Sequence, residues 1–191
     1  MRRLYNWTME MATHRHAIWV LAFVAFVESS FFPIPPDILL IPMVLAAPRR
    51  AFLIAGVATV ASVLGGIFGY MIGAFAFETI GQPMLQAVGK GAYFEEFAQR
   101  YNDYGLWVVL AAGVTPFPYK VVTILSGATG LSFGVFVMSS IVARALRFFV
   151  VAGLLWYIGP PVRTFIEKHL GVVFTVFIVL LFGGLYLVRF I

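Results

Sequence analysis

The first apolar stretches of this chain are too short for what they ought to do. Ala17–Val27 is apolar for eleven residues and "ILLIPMVLAA" (Ile38–Ala47) for ten, and between them stands "ESSFFPIPPD", with Glu28, Asp37, Pro33, Pro35 and Pro36. A helix needs about twenty apolar residues to cross a hydrocarbon core. Two half-length arms around a proline-rich elbow predict a re-entrant hairpin. The alternative, one helix carrying two acids and four prolines (with Pro42), fits the bilayer far worse.

The membrane setting follows from composition. Of 191 residues, 62% are hydrophobic and 11% charged, against roughly half apolar and about a quarter charged in a soluble domain. No water-soluble fold of this length hides that much apolar surface. The expectation is a single all-α, polytopic membrane domain over residues 1–191. There is no cysteine, which excludes disulfides and thiolate metal sites. The net charge of +5 suits contact with anionic lipid rather than nucleic acid. The N-terminus lacks the small-residue cleavage pattern of a signal peptide.

Along the chain, residues 1–16 combine arginines with Tyr5 and Trp7, as an interfacial segment would. Residues 17–77 form a first unit, the hairpin plus a span over Phe52–Phe77. In that span Gly65, Gly69 and Gly73 recur every fourth residue, a face for close helix packing. Residues 78–104 are the polar part. Tyr93, Phe97, Tyr101 and Tyr104 fall there at helical spacing, which reads as an amphipathic helix in the headgroup layer or, equally, as a core-packing stripe.

Residues 105–159 repeat the plan of the first unit: an apolar arm, an elbow at Pro116–Phe117–Pro118, a second arm, and a span that Arg144 and Arg147 interrupt. With Pro33–Ile34–Pro35 laid over Pro116–Phe117–Pro118, Asp37 falls on Lys120 without a gap. If each hairpin returns to its own side, the second unit is inverted relative to the first, a plan that places sites between broken helices. A final span is expected over residues 170–188, giving about three full crossings. Under this topology seven Lys or Arg lie on one side (Arg2, Arg3, Arg15, Arg49, Arg50, Arg163, Lys168) and three on the other (Lys90, Arg100, Arg189). The N-terminus is then cytoplasmic. Spanning hairpins also give seven against three, so the elbows rather than the charges argue for re-entry.

The chemistry sits in the elbows. A carboxylate at membrane depth costs about 2.5–3.5 kcal/mol, so Glu28 and Asp37 should face an internal polar site. There they are candidates for binding protons or for structural pairing with a buried arginine. Lys120, Arg144 and Arg147 are the embedded cations, and guanidinium groups clasp phosphate through paired hydrogen bonds. These three are the candidate residues for an anionic headgroup. Mutual neutralisation of acids and arginines is the alternative, and one arginine in each role satisfies both. His14 and His16 read as surface residues. No phosphate-binding loop, metal motif or catalytic constellation is present, so neither enzyme activity nor a metal or other cofactor is expected. Ser29, Ser30 and Thr123 read as partners for broken backbone.

"ESSFFPIPPD" resembles the N-terminal signature of the DedA/VTT (SNARE-associated Golgi protein) membrane family: an acid, then Phe-Pro-x-Pro, then a second acid nine positions after the first. "FEEFAQRYNDYGLWVVLAAGVTPFPYKVVTILSGATGLSFGVF" is similar to the family's second half. The likeness covers about residues 17–160 and is nearest the YqaA-like branch. It implies oppositely oriented re-entrant hairpins and movement of undecaprenyl phosphate or phospholipid, with proton dependence. The family acids carry over onto Glu28 and Asp37. A second family motif, Arg-x-x-Pro-x-x-Arg, aligned on Pro116, has Gly113 and Tyr119 in place of its arginines.

The functional expectation is an anionic-lipid flippase or scramblase in a bacterial inner membrane. A proton-coupled small-solute or ion transporter would use the same acids, and a membrane assembly factor would keep the charges neutralised. The glycine faces permit a homodimer.

Overall fold

The computed structural model describes residues 16–32, 35–115 and 117–159. Most of the expected interfacial segment, the span at 170–188, and Pro33 and Pro116 of the elbows lie outside them. Among the described residues all regular structure is helical: α1 (Ala17–Ser30), α2 (Asp37–Ala46), a 3₁₀ turn (Pro48–Arg50), α3 (Ala51–Ala76), a π-helical turn (Phe77–Gly81), α4 (Gln82–Ala87), α5 (Gly91–Asp103), α6 (Gly105–Val114), α7 (Tyr119–Ala128) and α8 (Phe133–Gly159). Two continuous helical stretches, Pro48–Ala87 and Phe133–Gly159, are long and apolar enough to cross a membrane. They contain the two spans expected in this part of the chain, the first continuing past Phe77 through residues 78–87 of the segment expected to be polar.

The four arms that meet at the elbows, α1, α2, α6 and α7, each have a proline within three residues of one end. α1 stops at Phe31, and Pro36 stands immediately before the first residue of α2. α6 stops at Thr115, which is extended (φ −79°, ψ 165°) because a residue followed by proline is pushed out of the helical region. α7 resumes after Pro118 and closes with Gly130 at φ +67°. There the Gly130 and Leu131 amides donate back to the Gly127 and Ser126 carbonyls, a turn that the left-handed conformation makes possible. At about 1.5 Å per residue, a ten-residue arm reaches about 15 Å, half a hydrocarbon core.

Packing in lipid depends on close backbone approach more than on apolar burial, and α3 is built for it. A Cβ on Gly65 would stand 2.0 Å from the Phe26 carbonyl oxygen in α1, and one on Gly73 would stand 1.9 Å from that of Ile124 in α7. One on Gly69 would meet Thr123 and the Ser29 carbonyl. The four-residue glycine repeat is therefore the seam on which both hairpins dock. α7 answers with Gly127, whose Cβ would meet the Tyr70 carbonyl oxygen at 1.9 Å.

Two apolar clusters flank this seam. One joins Ala17 and Leu21 of α1, Leu40 and Val44 of α2, the first turns of α3, and Phe148, Ala152 and Leu155 of α8. The other joins Tyr101, Val109, Tyr119 and Val122 to Leu131 and Phe136, at the start of α8 and just before it. Both elbows lie between the clusters, beside the middle of α3 and α8.

Within the polar region α5 is the amphipathic helix, anchored through Phe97 and Tyr101 of the expected stripe and through Phe94 in place of Tyr93 and Tyr104. Phe94 stacks on Phe77 at 4.3 Å and continues through Phe97 to Tyr101. Tyr101 is buried, and its hydroxyl bonds Ser126 at 2.9 Å, whereas Tyr93 and Tyr104 are exposed. Burial holds the Tyr101 phenol above its ordinary range. Phe94 and Tyr93 both stand at helical spacing from Phe97, so periodicity alone does not choose between them.

Candidate functional site

Four charged side chains meet where the first elbow faces α8. Arg144 donates from one terminal nitrogen to Glu28 Oε2 at 2.9 Å, and Arg147 donates to Asp37 Oδ2 at 2.6 Å. Arginines three apart share a helix face, so one side of α8 meets the acid that ends α1 and the acid that begins α2.

The two pairs differ in kind. Arg144 is 1% exposed and lies between the Tyr119 and Phe148 rings, 4.7 and 4.8 Å from their centroids. Its Nε donates to Ser62, the Ser62 and Ser29 hydroxyls are 2.6 Å apart, and Ser29 donates to Glu28 Oε2 at 3.1 Å. Guanidinium has no acceptor, so Ser62 accepts from Arg144 and passes its own proton toward Ser29. The donors therefore run in one sense, from Arg144 through Ser62 and Ser29 to Glu28, and the direct Arg144–Glu28 bond closes the ring. Such a network is stable when every member is satisfied.

The second pair is open. Arg147 and Asp37 are each 18% exposed. Arg147 also donates to the Thr115 carbonyl at 2.8 Å. That carbonyl is available because the Pro116 elbow ends α6 there. Arg147 thus ties the first elbow to the second. Asp37 Oδ1 is buried and has no hydrogen-bond partner among the described residues.

Glu28, Asp37, Arg144 and Arg147 come together. Lys120 is half-buried in the first turn of α7, and its ammonium has no ion pair or hydrogen bond among the described residues. Pro36 and Pro118 stand immediately before α2 and α7, and Pro35 precedes Pro36. Thr123 donates to the Ser29 carbonyl at 3.1 Å, and Ser30 donates to that of Gly65 at 3.0 Å; both satisfy backbone, as expected. Ser62, Tyr119 as an arginine platform and the Thr115 carbonyl carry no signal in the sequence. Among the described residues no group of three or more His, Cys, Asp or Glu could hold a metal.

Gly113 and Tyr119, where the resemblance expects arginines, both abut the arginine-bearing turn of α8. A Cβ on Gly113 would meet Ala143 at 2.5 Å, and the Tyr119 ring carries Arg144. Guanidinium charge reaches this region from α8 instead. A separate cavity of about 710 Å³ opens between Tyr70, Phe77, Phe94 and Thr129, away from both ion pairs.

The VTT domain, the domain of the DedA family, matches residues 32–157. An uncharacterized protein of Haemophilus influenzae is 38% identical over 170 residues, covering 89% of this chain and 88% of its own. An uncharacterized protein of Histophilus somni is 40% identical over 156 residues, covering 82% and 81%. No solved structure gives a significant match. With its helical architecture and the full set of embedded charges inside the matched region or at its edge, the chain belongs to the VTT domain family of membrane proteins.

Proposed function

We propose that this protein moves an anionic lipid, a phospholipid or polyprenyl phosphate, between the leaflets of a bacterial inner membrane, by a flippase or scramblase route with proton dependence. In this reading both hairpins are re-entrant and mutually inverted, and the N-terminus is cytoplasmic. α1 begins beside the first turn of α3 and ends beside its middle, whereas α7 begins near that middle and ends beside Tyr70 and Ala74. That run of neighbours supports entry from opposite faces.

The observation that carries the reading is the Asp37–Arg147–Thr115 bridge, a partly exposed ion pair joining the two elbows. Midplane sites between broken helices are where transporters of this plan hold substrate. Arg147 and Lys120 would meet the headgroup, and Arg144 would hold Glu28 in place. The test is reconstitution in vesicles containing labelled phosphatidylglycerol, phosphatidylethanolamine or polyprenyl phosphate. Transbilayer movement of the anionic lipids should exceed that of the zwitterionic one and fall at least tenfold in Arg147→Ala. Unchanged movement for every lipid at every pH would overturn the reading.

The paired state of both arginines also favours a second reading, a membrane assembly factor with its charges neutralised. Under it, Glu28→Gln lowers folded yield without any selective loss of transport.

A further inference from the structure

The two ion pairs have opposite exchange properties, and this divides their roles. Arg144 is enclosed by two rings and held in a closed hydrogen-bond ring. Removing the Glu28 charge would leave a guanidinium at 1% exposure with no other carboxylate in contact among the described residues. A buried charge without a partner is strongly unfavourable. Arg147 is partly exposed and already shared between a carboxylate and a carbonyl. It can accept a second anion without first being dug out of the core.

Asp37 offers the complementary half. Its Oδ1 is buried and lacks a donor among the described residues. The charged groups that face it are Arg147, in direct contact, and Arg144, both from α8, with Glu28 of α1 and Tyr119 of α7 reached through Arg144. α3 brings no charged side chain. If Arg147 turns to another anion, Asp37 loses its sole cation in contact. A carboxylate stranded in that setting is neutralised by a proton.

We propose that Asp37 and Arg147 form an exchangeable pair at which a phosphodiester anion binds together with a proton. The anion displaces Asp37 from Arg147, the carboxylate takes a proton from water, and the site stays neutral before and after. Glu28 and Arg144 stay paired throughout. This rests on the anionic-lipid reading above and adds the residue that couples the proton, the stoichiometry, and the ligand class.

Titration calorimetry of the full chain in detergent tests it, in two buffers of different protonation enthalpy. The probes are dihexanoyl phosphatidylglycerol, for a lipid headgroup, and dimethyl phosphate, for a free anion; neither titrates near neutral pH. The wild type should take up about one proton per anion bound, and its affinity should fall about tenfold per pH unit as pH rises, as one linked proton requires. Binding of the lipid alone or of both probes supports the exchange and identifies the source. In Asp37→Asn, binding should persist with no proton uptake and no pH dependence, while Asp37→Glu should restore both. Anion binding by the wild type without proton uptake overturns the exchange and leaves the lipid reading standing. Proton uptake retained in a folded Asp37→Asn also overturns it. Binding of neither probe overturns the exchange at a phosphodiester and, with it, the phospholipid form of the reading above.

Discussion

At the scale of single residues, the Glu28–Arg144 pair is a commitment rather than a convenience. Removing one partner of a buried pair typically costs about 3–5 kcal/mol, whereas replacing both by apolar residues of similar volume is often neutral. Glu28→Leu alone should therefore destabilise the protein by about 3–5 kcal/mol, and adding Arg144→Met should recover most of the loss. Chemical unfolding in detergent reads both, and simple additivity of the two substitutions would refute the ring as described. The four charges were legible in the sequence, because charged residues stand out among apolar ones. Pairing of acids with arginines was one reading the sequence left open, but which acid meets which arginine was not legible. Glu28 and Arg144 are 116 residues apart, and their register is decided by how glycines seat α1 on α3. Ser62 was invisible because a serine in an apolar helix usually bonds its own backbone.

At the scale of elements, the decisive device is the glycine seam of α3. Gly65→Ala would set a methyl 2.0 Å from the Phe26 carbonyl oxygen, and a backbone neighbour cannot swing aside. Overpacking of this kind costs about 1–3 kcal/mol and displaces the helix. Gly56→Ala, with nothing within 4 Å of the added carbon, should instead be neutral or stabilise by about 0.5–1 kcal/mol. Thermal unfolding of the two variants side by side measures the contrast. The seam was readable from spacing alone. The sequence did not say that one stripe serves two hairpins, because a four-residue repeat specifies a face and not its occupants. The amphipathic α5 was half legible: its existence followed from the polar composition, while its anchor through Phe94 depends on the π-helical turn that presents Phe77.

At the scale of the whole molecule, topology is open to a direct test, and the lack of native cysteine makes it a clean one. With re-entrant hairpins, single cysteines at Lys90, Tyr104 and Gly130 should all label from one side of oriented vesicles. Cysteines at Arg49 and Gly159 should label from the other. Labelling of Tyr104 and Gly130 from opposite sides would mean that the second hairpin crosses, and the inverted plan would fall.

The pairing of charges also decides which driving force the site can feel. A lone charge carried across a membrane exchanges about 2.3 kcal/mol with each 100 mV of potential. Asp37 and Arg147 sit 2.6 Å apart, so while they move together the field does almost equal and opposite work on them. The two matched pairs are accordingly blind to voltage.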